Sequence, residues 1–391
     1  MEDVVVVGYA RTPVGRFLGG LAATSAMQLG GHAIAGALGS GDLDPAFVQY
    51  VVMGHVLQAG QGQITARQAA VEGGLGMRVP AETMNKVCLS GVTAISRARD
   101  LIRTGDFEMI VAGGMESMSR APYVLDRARS GLRIGDATLT DVMMHDGLTC
   151  AFDGCAMGLA TDGYQRSKAL EISREEQDAW AARSHVRAAS AWDEGSFEGE
   201  VVPVEVPSAG VVDRDEGIRA DTTAAALAGL RPAFDPSGTI TAGNASQISD
   251  GAAALVLASR RRAAELGLPV LANVVSWGTV AGPDASLHLQ PAAAIRDAAA
   301  RVGLDPSGFD LYEINEAFAS VAIASTRDLG VSEDRVNVNG GAIALGHPLC
   351  CSGARIVVTL INALRNRGGG TGVAALCGGG GQGDALVLEV A

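Results

Sequence analysis

Residues 85–91 read Asn-Lys-Val-Cys-Leu-Ser-Gly, and the run after them carries apolar side chains at Val92, Ile95, Ala98, Leu101 and Ile102. That spacing predicts a helix with Cys88 at its N-terminal edge. Unpaired N–H groups and the positive end of the helix dipole there favour thiolate, the nucleophilic form of cysteine. The competing reading is a buried cysteine that packs as a small apolar residue. A second stretch has the same layout: Cys350-Cys351-Ser352-Gly353 opens a predicted helix over 352–366. Each helix leads to a strand that ends in glycine, 107–112 before Gly113-Gly114 and 372–376 before Cys377-Gly378-Gly379. An internal duplication of one α/β unit accounts for the repetition. It makes Cys350 the structural counterpart of Cys88 and its rival as nucleophile.

The 391 residues exceed one ordinary core, so two or three domains are expected. Small residues dominate, with 52 Gly and only 4% aromatics, which suits close helix–strand packing. The net charge of −13 argues against a nucleic-acid surface, while a local arginine cluster still suffices for a phosphorylated ligand. Apolar runs break well short of the roughly 20 residues of a membrane span, and the start, MEDVVVVGYARTPVG, lacks the pattern of a secretory signal. The six cysteines show neither disulfide-scaffold nor zinc-site spacing. Free thiols in a reducing cytoplasm are therefore expected, with no metal and no membrane or nucleic-acid partner.

Along the chain, strands are predicted at 3–9, 48–56, 107–112 and 251–258, with helices at 26–38 and in the later part of 57–71. Strand–helix alternation predicts a parallel sheet covered by helices. Between Ser119 and Ser249 the alternation is irregular, apart from a polar helix at 173–194 that starts with a Ser173–Glu176 capping box. The chain thus divides into 1–118 (completed by 250–268), an inserted segment 119–249, and 269–391. The last part holds strands at 270–277, 309–314, 372–376 and 385–390 and helices at 291–302, 317–329 and 352–366.

Four groups could do chemistry. Cys88 is the first. Asn315-Glu316 stands at a strand-to-helix junction, where Asn315 can donate a hydrogen bond or orient water. His347, between Gly346 and Pro348, can take a thiol proton. Cys377 precedes the glycine run 378–381, whose bare N–H groups can hold an oxyanion. Two thiols, one imidazole and two donor sets suit acyl transfer with carbon–carbon bond making or breaking.

The ordered set NKVCLSG, NEAFA, GGAIALGHP and C-x-GGGQG resembles the thiolases. So do RTPVGRF at 11–17, GGMESMSRAPY at 113–123, LRPAF at 230–234 and TAGNAS at 241–246. The resemblance spans the chain and looks nearest to bacterial acetyl-CoA acetyltransferases. It implies an α/β thiolase fold: two duplicated halves in a layered α-β-α-β-α core with an inserted loop domain. Cys88 would be acylated, His347 would activate it, and Cys377 would move the α-proton. Asn315 would hold a water of one oxyanion hole, and the N–H groups of Cys88 and Gly379 would form the other. Arg219, Ser246, Met157, Phe234, Phe318, Leu148 and His288 would contact the acyl-CoA. Coenzyme A thioesters would be substrates, with no cofactor, in fatty acid metabolism, and the protein would form a homodimer or homotetramer.

Several positions depart from the family pattern. Ala156 stands where a His is usual, Cys350 replaces Gly, Gly378 replaces a larger apolar residue, and Gln247 replaces Gly. LHLQP at 287–291 replaces Met-Gly-x-Gly-Pro, bringing in His288 and Gln290. These imply a remodelled acyl or pantetheine pocket around retained chemistry, open to a bulkier 3-ketoacyl-CoA. The alternatives are a non-catalytic or weakly active CoA- or lipid-binding relative and a decarboxylating ketoacyl synthase. Asn315-Glu316 in place of a second histidine argues against the synthase.

Overall fold

The structure, a computed structural model, describes residues 2–207 and 209–391. The first half runs β1 (Val4–Arg11), α1 (Ala26–Ser40), β2 (Tyr50–Gly54), α2 (Thr65–Glu72), β3 (Ala81–Met84), α3 (Ser90–Thr104) and β4 (Met109–Ser117). The segment that follows holds α4 (Met157–Ser167) and α5 (Arg174–Asp193). It also carries two small hairpins, Tyr123–Leu125 with Leu139–Asp141 and Val204–Val206 with Gly210–Val212. Then come β5 (Ser249–Ser259), β6 (Ala272–Ala281), α6 (Gln290–Ala300), β7 (Leu311–Ile314), α7 (Ala319–Leu329), α8 (Cys351–Asn366), β8 (Gly370–Gly378) and β9 (Gln382–Val390). Ser173 caps α5 in the expected capping box with Glu176.

The strands follow the order β7-β8-β9-β6-β1-β5-β4-β2-β3. β1 and β6 meet through only Val5–Asn273 and Val6–Ala272, so the sheet has a seam. The orders β1-β5-β4-β2 and β6-β9-β8-β7 repeat on its two sides, which is the internal duplication. The expected all-parallel sheet is corrected. Only β2 with β3 and β4, and β7 with β8, are parallel. β9 follows β8 through a short glycine turn, which can join only antiparallel strands. β5 returns after a long insertion that imposes no crossover helix.

Alternation along the strands builds the layers. Val4 and Val6 of β1 pack with α3 and α8, while Val5 and Val7 pack with α1 and α2. The α3/α8 cluster also takes Leu376 of β8 and Leu386 and Leu388 of β9. The outer faces of those strands give Val373, Ala375 and Val387 to a third cluster with α6 and α7. The order of layers is therefore α-β-α-β-α, with α3 and α8 as the central pair. Glycine permits their contact: a Cβ on Gly91 would stand 2.4 Å from Cys350 O, and one on Gly353 would stand 2.6 Å from Val92 N. The two cysteine-led helix starts are thereby brought side by side.

The insertion is fastened to the core by a buried ion cluster. Arg11 Nε donates to Glu200 Oε1 at 2.6 Å, and its Nη1 donates to Asp215 Oδ1 at 2.7 Å. Asp215 Oδ1 also accepts the Val14 N–H at 2.7 Å. Removing one partner from such a cluster costs about 3–5 kcal/mol, because a charge is left buried and unpaired. Here it would also release the run leading to Arg16 and Phe17. No helix among the described residues is long and apolar enough to cross a membrane.

Candidate active site

Cys88 sits in the turn between β3 and α3. Val87, immediately before it, has φ 51°, a left-handed conformation that is strained for a β-branched residue. Side chains hold the turn: Lys86 N–H donates to Ser90 Oγ at 2.8 Å, and Ser90 Oγ donates to Val87 O at 2.6 Å. Lys86 Nζ reaches Asp384 Oδ1 on β9 at 2.7 Å, tying this turn to the other half.

His347 is placed by the glycine-rich loop before α8. Gly346 has φ 116°, and a Cβ there would lie 2.3 Å from Ser249 Oγ, so only glycine fits. The His347 N–H bonds to Gln247 O at 2.9 Å. Its Nδ1 lies 2.6 Å from Ser352 Oγ, while Nε2 is buried and finds no partner among the described residues. In the tautomer that donates from Nδ1 to Ser352 Oγ, Nε2 offers a lone pair. Glu316 steadies the preceding loop from below. It accepts from Trp180 Nε1 at 2.9 Å, Ser184 Oγ at 2.7 Å, Asn337 Nδ2 at 3.0 Å and the Ile343 N–H at 3.1 Å.

Cys88, His347, Cys377 and Gly379 line one cavity of about 60 Å³, walled by Leu148, Met157, Leu287, Phe318 and Leu349. Leu148, Met157, Ser246 and Phe318 also line an adjoining chamber of about 470 Å³, with Arg16, Phe17, Ala156, Arg219, Phe234 and Gln247. Arg16 and Arg219 are exposed, two cations on an otherwise acidic chain. Phe234 meets Phe318 edge to face at 6.3 Å.

Asn315 is fully buried, and its N–H bonds to Ala375 O at 2.9 Å, beside the strand that carries Cys377. Asn315 lines neither chamber, and its Oδ1 and Nδ2 find no partner among the described residues, an arrangement that suits an ordered water between it and the cavity. His288 is a correction: it lines neither chamber, and its neighbour Leu287 takes the wall position instead. His288 is itself buried, with both ring nitrogens unpartnered among the described residues.

The resting protonation differs from the expected thiolate. Burial pushes the Cys88 thiol up to about 12, although the N–H groups of Cys88 and Gly379 pull the other way. A rise from 9.0 to about 12 corresponds to about 4 kcal/mol. A helix end supplies about 0.3–1 kcal/mol, so burial wins. Those two N–H groups converge on the sulfur and mark where a developing oxyanion would be held. Burial, then the charge of Cys88, pushes Cys377 up as well. Burial, then the positive charge of Arg355, lowers His347 to about 4. The resting site is two thiols and a neutral imidazole, so Cys88 needs a proton acceptor before it becomes a thiolate.

Residues 4–261 match the family model of the thiolase N-terminal domain, and residues 268–390 match that of the thiolase C-terminal domain. The chain belongs to the thiolase family. This thiolase is 53% identical to a probable acetyl-CoA acetyltransferase of Mycobacterium tuberculosis, over 100% of both chains. It is 47% identical to the acetyl-CoA acetyltransferase of Escherichia coli, over 100% of this chain and 99% of the other. The structure of human mitochondrial 3-ketoacyl-CoA thiolase in complex with CoA superposes with a TM-score of 0.95. That likeness has 38% identity and covers 100% of this chain and 98% of the other.

The geometry separates the two rival cysteines of this thiolase. Cys350 is fully buried, lines neither chamber and donates from Sγ to Met115 O at 2.9 Å. Arg16, Phe17, Leu287 and Leu349 are wall residues that sequence reasoning missed. Arg16 and Phe17 lay within the quoted RTPVGRF, yet nothing local to that run shows that it folds over residues 219–248.

Proposed function

We propose that this thiolase catalyses the reversible Claisen condensation of two acetyl-CoA into acetoacetyl-CoA and CoA, with thiolysis of short 3-ketoacyl-CoA as the reverse. One observation carries the reading: Cys88, the free Nε2 of His347 and Cys377 face one cavity that adjoins a larger chamber flanked by exposed arginines. The CoA chain would lie in the larger chamber, its phosphates near Arg16 and Arg219 and its thioester beside Cys88.

Cys88 gives its proton to His347 Nε2 and attacks the acetyl carbonyl carbon. The new oxyanion is held by the N–H groups of Cys88 and Gly379. CoA leaves, taking the proton from His347, and acetyl-Cys88 remains. For condensation, Cys377 passes its own proton to His347 and removes one from the methyl group of a second acetyl-CoA, while Asn315 and its water stabilise the enolate. The carbanion attacks acetyl-Cys88, a carbon–carbon bond forms and Cys88 thiolate is expelled. The proton on Cys377 returns to Cys88, and Cys377 is regenerated by the proton balance with His347.

The walls Leu148, Leu287, Leu349 and Phe318 favour a short acyl group over a bulky one. The test is mass spectrometry after acetyl-CoA treatment together with a panel of 3-ketoacyl-CoA substrates. An acetyl group on Cys88 and rates that fall beyond acetoacetyl-CoA are expected. Acetylation at Cys350, or CoA binding without turnover, would defeat the reading.

The protein would work in the cytoplasm, in fatty acid metabolism, as a homodimer or homotetramer. Exposed Tyr123, Leu132, Ile134 and Leu139 on and beside the first hairpin support an assembly, Ile134 being 98% exposed. Light scattering on the full chain and on a Leu132→Ser/Ile134→Ser variant checks it: a smaller particle is expected for the variant.

A further inference from the structure

The strip of chain between the two chambers carries two cysteines for which acyl transfer has no use. Leu148 and Met157 line both chambers, and the Met157 N–H bonds to Leu148 O at 2.9 Å. One step out, Thr149 and Ala156 pair as an antiparallel bridge, and the Cys150 N–H bonds to Cys155 O at 2.8 Å. The Gly154 N–H closes the turn on Cys150 O at 2.9 Å. Cys150 and Cys155 therefore close the turn next to the Thr149–Ala156 bridge, joined by one backbone bond, a position where facing Cα atoms are typically about 5.5 Å apart. A disulfide spans Cα separations of about 4.4–6.8 Å, so the backbone already has the required reach. Cys155 is half-buried and Cys150 is buried. Cys150 Sγ donates to Asp153 Oδ2 at 3.1 Å.

We propose that Cys150 and Cys155 are a disulfide-forming modification site, closed by exchange with a small-molecule disulfide of the cell. The more exposed Cys155 attacks the carrier as a thiolate. An S–S bond forms between Cys155 and one carrier sulfur, the carrier's own S–S bond breaks, and one carrier thiolate leaves. Cys150 then gives its proton to Asp153 Oδ2 and attacks the Cys155 sulfur, which releases the second carrier thiol. Two protein thiols are oxidised to one disulfide, and one carrier disulfide is reduced to two thiols. The six cysteines of this chain are all free thiols in the structure.

The site is mechanically linked to the chemistry. A Cβ on Gly380, next to Gly379, would lie 3.0 Å from Phe152 Cε2 at the tip of the turn. Asp153 Oδ1 accepts from Tyr164 OH on α4 at 3.1 Å. Drawing Cys150 away from Asp153 shifts those tip contacts and fixes the spacing of Leu148 and Met157. The expected effect on the acyl chamber rests on the function proposed above; the bond itself does not.

The full-length protein is treated with oxidised glutathione, alkylated and digested with trypsin. The peptide 134–166 holds Cys150 and Cys155 and no other cysteine. It is expected to be lighter by about 2 Da, two hydrogens, and to take no alkyl group. Dithiothreitol restores two alkylation sites. In Cys150→Ser the glutathione stays on Cys155 as a mixed disulfide, and in Cys155→Ser the peptide carries no glutathione and takes one alkyl group, on Cys150. Double alkylation of this peptide in oxidised wild type, or a stable mixed disulfide there, overturns the proposal. In activity assays the oxidised wild type shows a changed KM for 3-ketoacyl-CoA, restored by dithiothreitol and absent in Cys155→Ser. A loss that persists in Cys155→Ser belongs to Cys88 and overturns the coupling. Failure of the acyl reading shows separately, as absence of acetyl on Cys88.

Discussion

Cys88 and Cys350 begin the two central helices in nearly the same local sequence, yet they end in opposite situations. Cys88 faces a cavity, receives N–H groups from its own residue and Gly379, and shares that space with His347 and Cys377. Cys350 faces Met115 O and the buried Glu116, and its thiol is driven well above its ordinary value by burial and then by that carboxylate. Glu116 is itself pushed up to about 7 by burial and lies 3.4 Å from His55. A helix start does not by itself make a nucleophile. What stands opposite decides: open space and donors on one side, a carbonyl and an acid on the other.

Mutation sharpens this contrast most strongly at Cys88. Cys88→Ala should lower kcat by on the order of 10^4-fold or more, since a covalent step is lost, and abolish the acetyl adduct. Cys350→Ala should leave the adduct in place. The reverse pattern, read by peptide mass, would invert the comparison.

His347→Gln should lower kcat by about 10^2- to 10^4-fold, because no other imidazole and no carboxylate lines the cavity to accept the Cys88 proton. Since His347 is held near 4, the wild-type rate should not fall through protonation of this group between about pH 8 and 6. A loss with an apparent midpoint near 6.5 would mean that its environment is wetter than the structure shows.

Acid should also weaken the fold. His55, His185, His288 and His347 are each lowered to about 4, chiefly by burial. Their folded values lie below the unfolded value of 6.5, so the unfolded chain binds more protons between about pH 6.5 and 4. Their contribution is full above about 6.5 and drains away as pH falls through that window. Glu116 and Glu313, raised to about 7 and about 8 by burial, act oppositely, contributing most below their unfolded values and losing it as pH rises toward 7–8. Denaturant melts across pH 4–8 should therefore show a broad stability maximum, with the steeper decline on the acid side.

His288 allows a smaller, cleaner test. Both of its nitrogens are buried without partners among the described residues, and an unsatisfied buried polar group costs about 1–3 kcal/mol. His288→Leu should be neutral or stabilising by about 1 kcal/mol at pH 7 and should flatten the acid decline. Marked destabilisation would show that the imidazole has a partner in solution. The smallest effect is expected for Cys350→Ala: near-wild-type kcat and a stability loss of about 1 kcal/mol for the packing removed.

Much of the architecture was legible because it rests on local pattern. Val4 to Val7 had to be a buried strand, Ser173 and Glu176 had to start a helix, and the repeated cysteine-led helices announced a duplication. Strand direction was not legible, since β5 arrives after an insertion that carries no directional signal. The family resemblance also placed His288 at the substrate wall, where the loop instead puts Leu287.

The chain alone established which groups could react: two thiols, an imidazole and glycines whose bare N–H groups can receive charge. Those are properties of residue type and near neighbours. Tertiary structure decided which cysteines face the cavity, how far burial moves each titratable group, and that Cys150 and Cys155 meet across one turn. Each of these depends on desolvation and on atoms brought from distant parts of the chain, which no local run of residues encodes.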